Sequence, residues 1–134
     1  LSKGWKRKAT AAALQACYDE VDARDKQMSW VSGKPLVKGS PRQRLSIGLD
    51  KWLTRHHLSK RSTAKDRVAD VANVVTVSWA EHCLLDSGAL LPVDRVGHEV
   101  TDARQIHRFA WNRRLVPAGG EPFRLPRLAK RMAA

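Results

Sequence analysis

Cysteines and long apolar runs are scarce in this sequence, and each shortage excludes a class of protein. The two cysteines, Cys17 and Cys83, match neither a disulfide framework nor a paired zinc-ligand spacing, so a reducing compartment is the simpler expectation. No apolar run approaches the roughly 20 residues that a transmembrane helix needs, and the basic N-terminal segment lacks the apolar core of a secretory signal. We therefore expect a cytoplasmic protein that has no membrane partner.

Sequence patterns typical of catalytic, cofactor and metal sites are also missing. No glycine-rich phosphate loop follows a predicted strand, and no pair of carboxylates has the spacing of a nuclease site. His98 and Glu99 begin like a zinc-protease helix, but Asp102 occupies the position of the second histidine. His56 and His57 are adjacent, so they cannot share one face of a helix. The sequence therefore predicts a protein that is not an enzyme, with no catalytic residues, no cofactor and no metal ligands.

Basic residues, in contrast, are abundant and segregated. The chain has 25 Lys and Arg against 13 Asp and Glu, a net charge of +12. Residues 34–61 contain eight basic residues and one acidic residue, a net charge of +7, and residues 104–131 repeat that balance. Like charges packed this closely repel one another and weaken the fold unless a polyanion neutralises them. The usual polyanion is nucleic acid, so the charge pattern favours an RNA-binding or DNA-binding protein.

The cations of the two stretches are the candidate phosphate contacts. An anionic membrane fits less well, because membrane-surface helices keep a strongly apolar face unburied and the apolar stripes here are expected to fill a core. Trp111 lies among arginines, where it could stack on a base or shield the edge of the core beneath arginine stems, and both interpretations remain open. The predicted nucleic-acid-binding residues are Lys34, Lys38, Arg42, Arg44, Lys51, Arg55, Lys60, Arg61, Arg104, Arg108, Trp111, Arg113, Arg114, Arg124 and Arg127.

Helical periodicity dominates the apolar pattern and predicts an all-α fold. Leu14, Cys17, Val21 and Met28 recur at helical spacing, and Ser40 before Pro41 resembles a helix start. We expect a single domain over residues 1–134, a four- or five-helix bundle with basic loops and a basic C-terminal tail. The predicted helices cover about residues 9–28, 41–57, 64–86 and 102–115, and a short fifth helix is expected over 126–132.

Two features of this prediction admit alternatives. The run Val74 to Val77 is β-branched and compatible with a strand, although uninterrupted periodicity on both sides favours a helix. Residues 49–71 also bear comparison with a helix-turn-helix, in which Thr63, Lys65 and Arg67 would enter a major groove. That alternative predicts a sequence-specific DNA-binding transcriptional regulator.

Four segments carry a resemblance to a known family. They are ATAAALQACYDEVD, SPRQRLSIGLDKWL, STAKDRVADVANVVTVSWAEHCLL and TDARQIHRFAWNRRL, interpreted as amphipathic helices with bases clustered on the second and fourth. A basic helical domain of this length resembles the small subunit of a multi-subunit CRISPR effector complex, which serves antiviral defence. The resemblance implies several copies lining a guide-RNA filament and touching phosphates, while base pairing supplies the sequence recognition.

The predicted function is therefore that of a non-catalytic, nucleic-acid-binding helical subunit. It would contact phosphates of RNA or single-stranded DNA with little sequence preference, within a ribonucleoprotein complex whose other protein subunits, or further copies of this chain, are its partners. A protein-docking adaptor or a ribosomal-type accessory protein is the remaining alternative, with the cations facing an acidic partner.

Overall fold

The fold combines helices with two small antiparallel sheets. A computed structural model describes the backbone of residues 3–60 and 67–125, and the side chains of residues 11–60 and 67–125. The helices are α1 (Lys3–Asp25), α2 (Arg44–Ile47) and α3 (Trp79–Asp86), and the strands are β1 (Leu53–His57), β2 (Val74–Ser78), β3 (Leu90–Val93) and β4 (Arg108–Trp111). Single turns of 3-10 helix cover Pro41–Gln43, Val71–Asn73 and Ala103–Gln105.

Strand β2 is the centre of the molecule. It pairs antiparallel with β1 from Leu53 opposite Ser78 to His57 opposite Val74, and all five of its residues are buried. Alternate side chains of a strand point to opposite faces. On one face, Val74 packs against Cys17 and Val21 of α1. On the other, the valines at 75 and 77 join the larger core, which also contains Trp30, Val31, Leu85, Leu90, Val100, Ala103, Ile106 and Phe109.

The second sheet pairs β3 with β4, in register from Leu90 opposite Trp111 to Val93 opposite Arg108. Leu90 and Phe109 both belong to the larger core, so this sheet is packed with the β1–β2 hairpin. The hairpin is thus enclosed between α1 on one face and α3 with the second sheet on the other. This arrangement brings α3 against β1, where the histidines described below meet.

The prediction of an all-α four- or five-helix bundle is wrong, and residues 41–57 illustrate why. Helix α2 ends after four residues because Gly48 has φ of +109° and ψ of 137°, a backbone conformation that only glycine adopts without strain. The chain then turns and continues as β1. Leu45 and Leu49, whose spacing fits the apolar stripe of a helix, are exposed.

The two other helices predicted beyond α1 are also replaced in part by strands. The β-branched run from Val74 forms β2, and a helix begins only at Trp79, where Ser78 and Glu81 form a reciprocal capping box. The segment 102–115 has one 3-10 turn followed by β4, whose backbone pairs with β3 between the predicted helices 64–86 and 102–115. Ladder hydrogen bonds to a distant strand therefore outweigh local helical periodicity in both segments. The short helix expected over 126–132 lies outside the described residues.

Helix α1 overlaps most of the predicted helix over 9–28, but it begins six residues earlier, at Lys3, and ends three residues earlier, at Asp25. Its alanine-rich first half favours helix, and it ends where Lys26 and Gln27 adopt positive φ angles of 50° and 60°. Among residues 3–60 and 67–125, no helix has both the length and the apolar character required to cross a membrane.

Candidate functional site

In the part of the chain that the structure describes, six of the predicted contact residues are exposed cations with no ion-pairing carboxylate. Within residues 11–60 and 67–125, these side chains are in no ion pair with a carboxylate, so their charge is directed at solvent. We call them the open cations. They are Lys34, Arg42, Lys51, Arg108, Arg114 and Arg124.

Two other predicted contacts share one carboxylate. Asp22 of α1 accepts hydrogen bonds from Arg55 Nη2 at 2.9 and 3.0 Å and from Lys38 Nζ at 2.7 Å. Burial by itself would raise the pKa of Asp22, but the bonds from Lys38 and Arg55 outweigh it and hold that pKa below its usual value. The Arg55 guanidinium also lies 4.6 Å from the centre of the Tyr18 ring. This group contributes one net positive charge from two cations.

Local carboxylates neutralise two further arginines. Asp102 receives Arg104 at 3.0 Å through Nε and 2.7 Å through Nη2, and this pairing is the main cause of the lowered pKa of Asp102. Arg113 donates to Glu121, and that hydrogen bond is the main cause of the lowered pKa of Glu121. A phosphate would have to displace a carboxylate to reach either guanidinium.

Arg44 lies over a pair of tryptophans. Its guanidinium carbon is 5.1 Å from the ring centre of Trp79 and 5.9 Å from that of Trp52, and the two indoles are themselves 5.8 Å apart. Trp52 is buried, and its indole N–H donates to the carbonyl of Gly39 at 2.9 Å. Both tryptophans therefore serve packing, and the cation–π contacts hold Arg44 in place.

Trp111 lies at the rim of the larger core, in an open cavity of about 410 Å³. Its ring is tilted against Phe123, with centroids 5.4 Å apart, and Arg113 and Arg124 line the same cavity. The volume falls within the range of about 300–1,000 Å³ that is usual for ligand sites. Trp111 is half-buried, so it shields the core with one part of its ring and leaves another part accessible.

A second cavity of about 450 Å³ lies along the outer side of β1. Arg55, His57 and Lys60 line it together with Tyr18 of α1. It adjoins a further cavity of about 310 Å³ that extends between the hairpin and the second sheet, and the two share His56, His57, Lys60 and Asp86. The exposed Lys60 therefore lines both cavities, which we together call the groove.

The floor of this groove contains a histidine–aspartate cluster that sequence reasoning missed. Asp86 lies 3.3 Å from Nδ1 of His56 and 3.1 Å from Nε2 of His82. Burial, with a further contribution from the adjacent His82, lowers the pKa of His56 to about 4, while Asp86 opposes that shift. His82 and Asp86 have the i, i+4 spacing of a shared helix face, but nothing in the sequence indicates that His56 faces them from a strand.

The structure brings some of the predicted contacts together in pairs: Lys38 with Arg55 at Asp22, Arg113 with Arg124 at the Trp111 cavity, and Arg55 with Lys60 beside β1. Arg61 and Arg127 lie outside the described residues, and Lys26 and Arg95 are exposed cations beyond the two basic stretches. No family model matches the chain, and no curated protein or solved structure has significant similarity to it.

Proposed function

We propose that this protein is a non-catalytic, cytoplasmic protein that binds single-stranded nucleic acid, RNA or DNA, through its phosphodiester backbone. The supporting observation is that, within residues 11–60 and 67–125 of a chain with a net charge of +12, the six open cations pair with no carboxylate and keep their charge directed at solvent. Two free cysteines, one buried and one exposed, agree with a reducing compartment. Other protein subunits of a ribonucleoprotein complex are the expected partners.

The aromatic cavity at Trp111 supports a single-stranded ligand over a duplex. An accessible aromatic ring beside Arg124 offers a stacking surface for an unpaired base next to a cation for its phosphate. Each stacked base contributes about 1–3 kcal/mol without requiring a particular sequence. We therefore expect the protein to bind different sequences with similar affinity.

The resemblance to CRISPR small subunits depends on four helices, and strands replace parts of three of them, so it adds no support here. The helix-turn-helix alternative loses its first helix, since Leu53–His57 is a strand. The adaptor alternative predicts no salt-dependent binding of any RNA or DNA, and the experiment below separates it from nucleic-acid binding.

Matched arginine variants test the proposal. Arg108→Gln and Arg114→Gln each remove one open cation, and each should reduce the slope of log K against log salt by about 0.7–0.9, equally for different sequences. The double variant Arg104→Gln, Asp102→Asn removes an ion pair without changing net charge. Asn still caps the following turn, so this variant should fold normally and keep the wild-type slope.

Fluorescence anisotropy of a labelled oligonucleotide, titrated at several salt concentrations, measures these slopes. If the charge-neutral double variant lowers the slope as much as Arg108→Gln, the paired arginines contact phosphates and the choice of open cations is wrong. If no RNA or DNA binds the wild-type protein at low salt, the proposed function is refuted.

A further inference from the structure

Three potential metal-ligating side chains converge where β1 packs against α3. Asp86 presents Oδ2 to His82 Nε2 at 3.1 Å, and it presents Oδ1 to His56 Nδ1 at 3.3 Å. Ligand atoms of the three residues all lie within 4.8 Å of one another. Two elements that are distant in sequence thus direct two imidazole nitrogens and one carboxylate toward a common point.

His56 has an unsatisfied nitrogen directed at this point. Its side chain is only 10% exposed, and its Nδ1 atom is buried with no hydrogen-bond partner among the residues that the structure describes. The Asp86 oxygen is at ion-pair distance but lacks hydrogen-bond geometry. A buried polar nitrogen without a hydrogen bond destabilises the folded state, so we expect this atom to bind a partner.

The second nitrogen is oriented by a hydrogen bond behind it. The Thr54 hydroxyl donates to the carbonyl of Val77 at 2.9 Å, so its oxygen accepts from Nδ1 of His82 at 3.0 Å. With the proton on Nδ1, the neutral ring directs its Nε2 lone pair at the Asp86 carboxylate. Two electron-rich groups at 3.1 Å need a cation between them. A proton on Nε2 would satisfy this pair but leave His56 without a partner, whereas a metal ion would satisfy all three side chains.

We infer that His56, His82 and Asp86 form a binding site for a divalent transition-metal ion of the zinc type. Imidazole and carboxylate are typical zinc ligands, and a tetrahedral ion with bonds of about 2.0–2.1 Å separates its ligand atoms by about 3.3–3.4 Å. Each imidazole nitrogen lies near that separation from one oxygen of Asp86, His56 Nδ1 at 3.3 Å from Oδ1 and His82 Nε2 at 3.1 Å from Oδ2, and one ligand atom from each residue lies within 4.8 Å of the others. Thr54 orients His82 from behind, as outer partners of metal-bound histidines commonly do. The fourth position would open into the groove lined by Arg55 and Lys60.

Calorimetric titration of ZnCl₂ into the nucleic-acid-free full chain tests the inference, and Co²⁺ absorption in the visible range reports the geometry. We expect about one equivalent of bound metal. His82→Gln and Asp86→Asn should each weaken zinc binding by at least about tenfold, and Thr54→Val should weaken it by about 10- to 100-fold, whereas Thr54→Ser retains the hydroxyl and should not. Circular dichroism checks that each variant remains folded.

Exposed residues elsewhere supply matched controls. His98→Gln and Asp50→Asn remove the same ligand types at the surface, and Cys83→Ser removes the exposed thiol next to His82. All three should bind zinc like the wild type, and the Co²⁺ spectrum should contain no thiolate charge-transfer band. Absence of binding, or binding that survives both His82→Gln and Asp86→Asn, would overturn the assignment. Neither result bears on the salt dependence of nucleic-acid binding, so the two proposals can fail separately.

Discussion

Replacing Asp22 with asparagine should move stability and nucleic-acid affinity in opposite directions. The Asp22 carboxylate joins α1 to β1 through Arg55, and it joins α1 to the loop that follows it through Lys38. Asparagine retains an acceptor oxygen but loses the charge, which leaves the Arg55 guanidinium, with a side chain only 24% exposed, without its counterion. One substitution therefore removes a stabilising pair and releases two cations.

The magnitude follows from the exposure of each partner. Hydrogen bonds to charged groups contribute about 1.5–3 kcal/mol, and the half-exposed Lys38 adds no more than about 1 kcal/mol. Because asparagine can still accept one of the hydrogen bonds from Lys38 and Arg55, we expect Asp22→Asn to lower the free energy of unfolding by about 2 kcal/mol. For a chain of this length that is a decrease in Tm of roughly 5–8 °C.

The pH dependence gives a second measure of the same pair. The folded-state pKa of Asp22 lies below its unfolded value, so its stabilisation is fully present above the unfolded pKa of about 3.9. That stabilisation is lost as the pH falls through the lower, folded-state pKa. The stability difference between wild type and Asp22→Asn should thus be constant from about pH 5 to 7 and shrink below about pH 4.

Asp19→Asn is the matched control, because it makes the same charge change on the same helix at an exposed residue that is bound to Gln15 rather than to a cation. Both variants should bind RNA more tightly than wild type, and Asp22→Asn should gain more, because it releases Lys38 and Arg55. Thermal and urea unfolding with anisotropy titrations measure both effects. If Asp22→Asn is as stable as Asp19→Asn, the reasoning about this ion pair is refuted.

Two further predictions concern Trp111 and Asn73. Trp111→Leu keeps an apolar side chain at the core rim but removes the stacking surface. Affinity for single-stranded RNA should therefore fall by about 1–3 kcal/mol per stacked base. An unchanged affinity would mean that the ring only packs against the core. Asn73 is fully buried. Its Oδ1 accepts from Ser59 N at 2.7 Å, and its Nδ2 donates to the carbonyls of Ser59 at 3.2 Å and Arg67 at 3.0 Å. Urea denaturation should therefore show that Asn73→Ala lowers the free energy of unfolding by about 2–4 kcal/mol. A loss below about 1 kcal/mol would mean that water replaces the amide there.

The sequence predicted helix α1 but not the sheets, for a physical reason. The pattern of α1 is local, because its apolar spacing and its alanines favour helix without reference to the rest of the chain. In contrast, β1 is stabilised by pairing with β2, and β4 by pairing with β3. The spacing of Leu45, Leu49 and Leu53 fits the apolar stripe of a helix. Gly48 ends α2 because its φ is positive, but the sequence does not show which glycines adopt a positive φ.

The sequence predicts which residue types the candidate site contains, but not which of them lie together. Counting residues shows how many cations exist, but Asp22 is far in sequence from both Arg55 and Lys38, so only the fold reveals that these charges are paired. The histidine cluster was missed for the same reason. The sequence pattern places His56 in a predicted helix beside His57, whereas its proximity to His82 depends on strand β1, which occupies that segment.

The salt dependence of RNA binding tests the central claim most directly. If the six open cations each neutralise one phosphate, log K should fall against log salt with a slope of about −4 to −5, at roughly 0.7–0.9 per contact. Anisotropy titrations of a single-stranded oligonucleotide between low and physiological salt give this slope. A value in that range supports the account, and a slope near zero would contradict it.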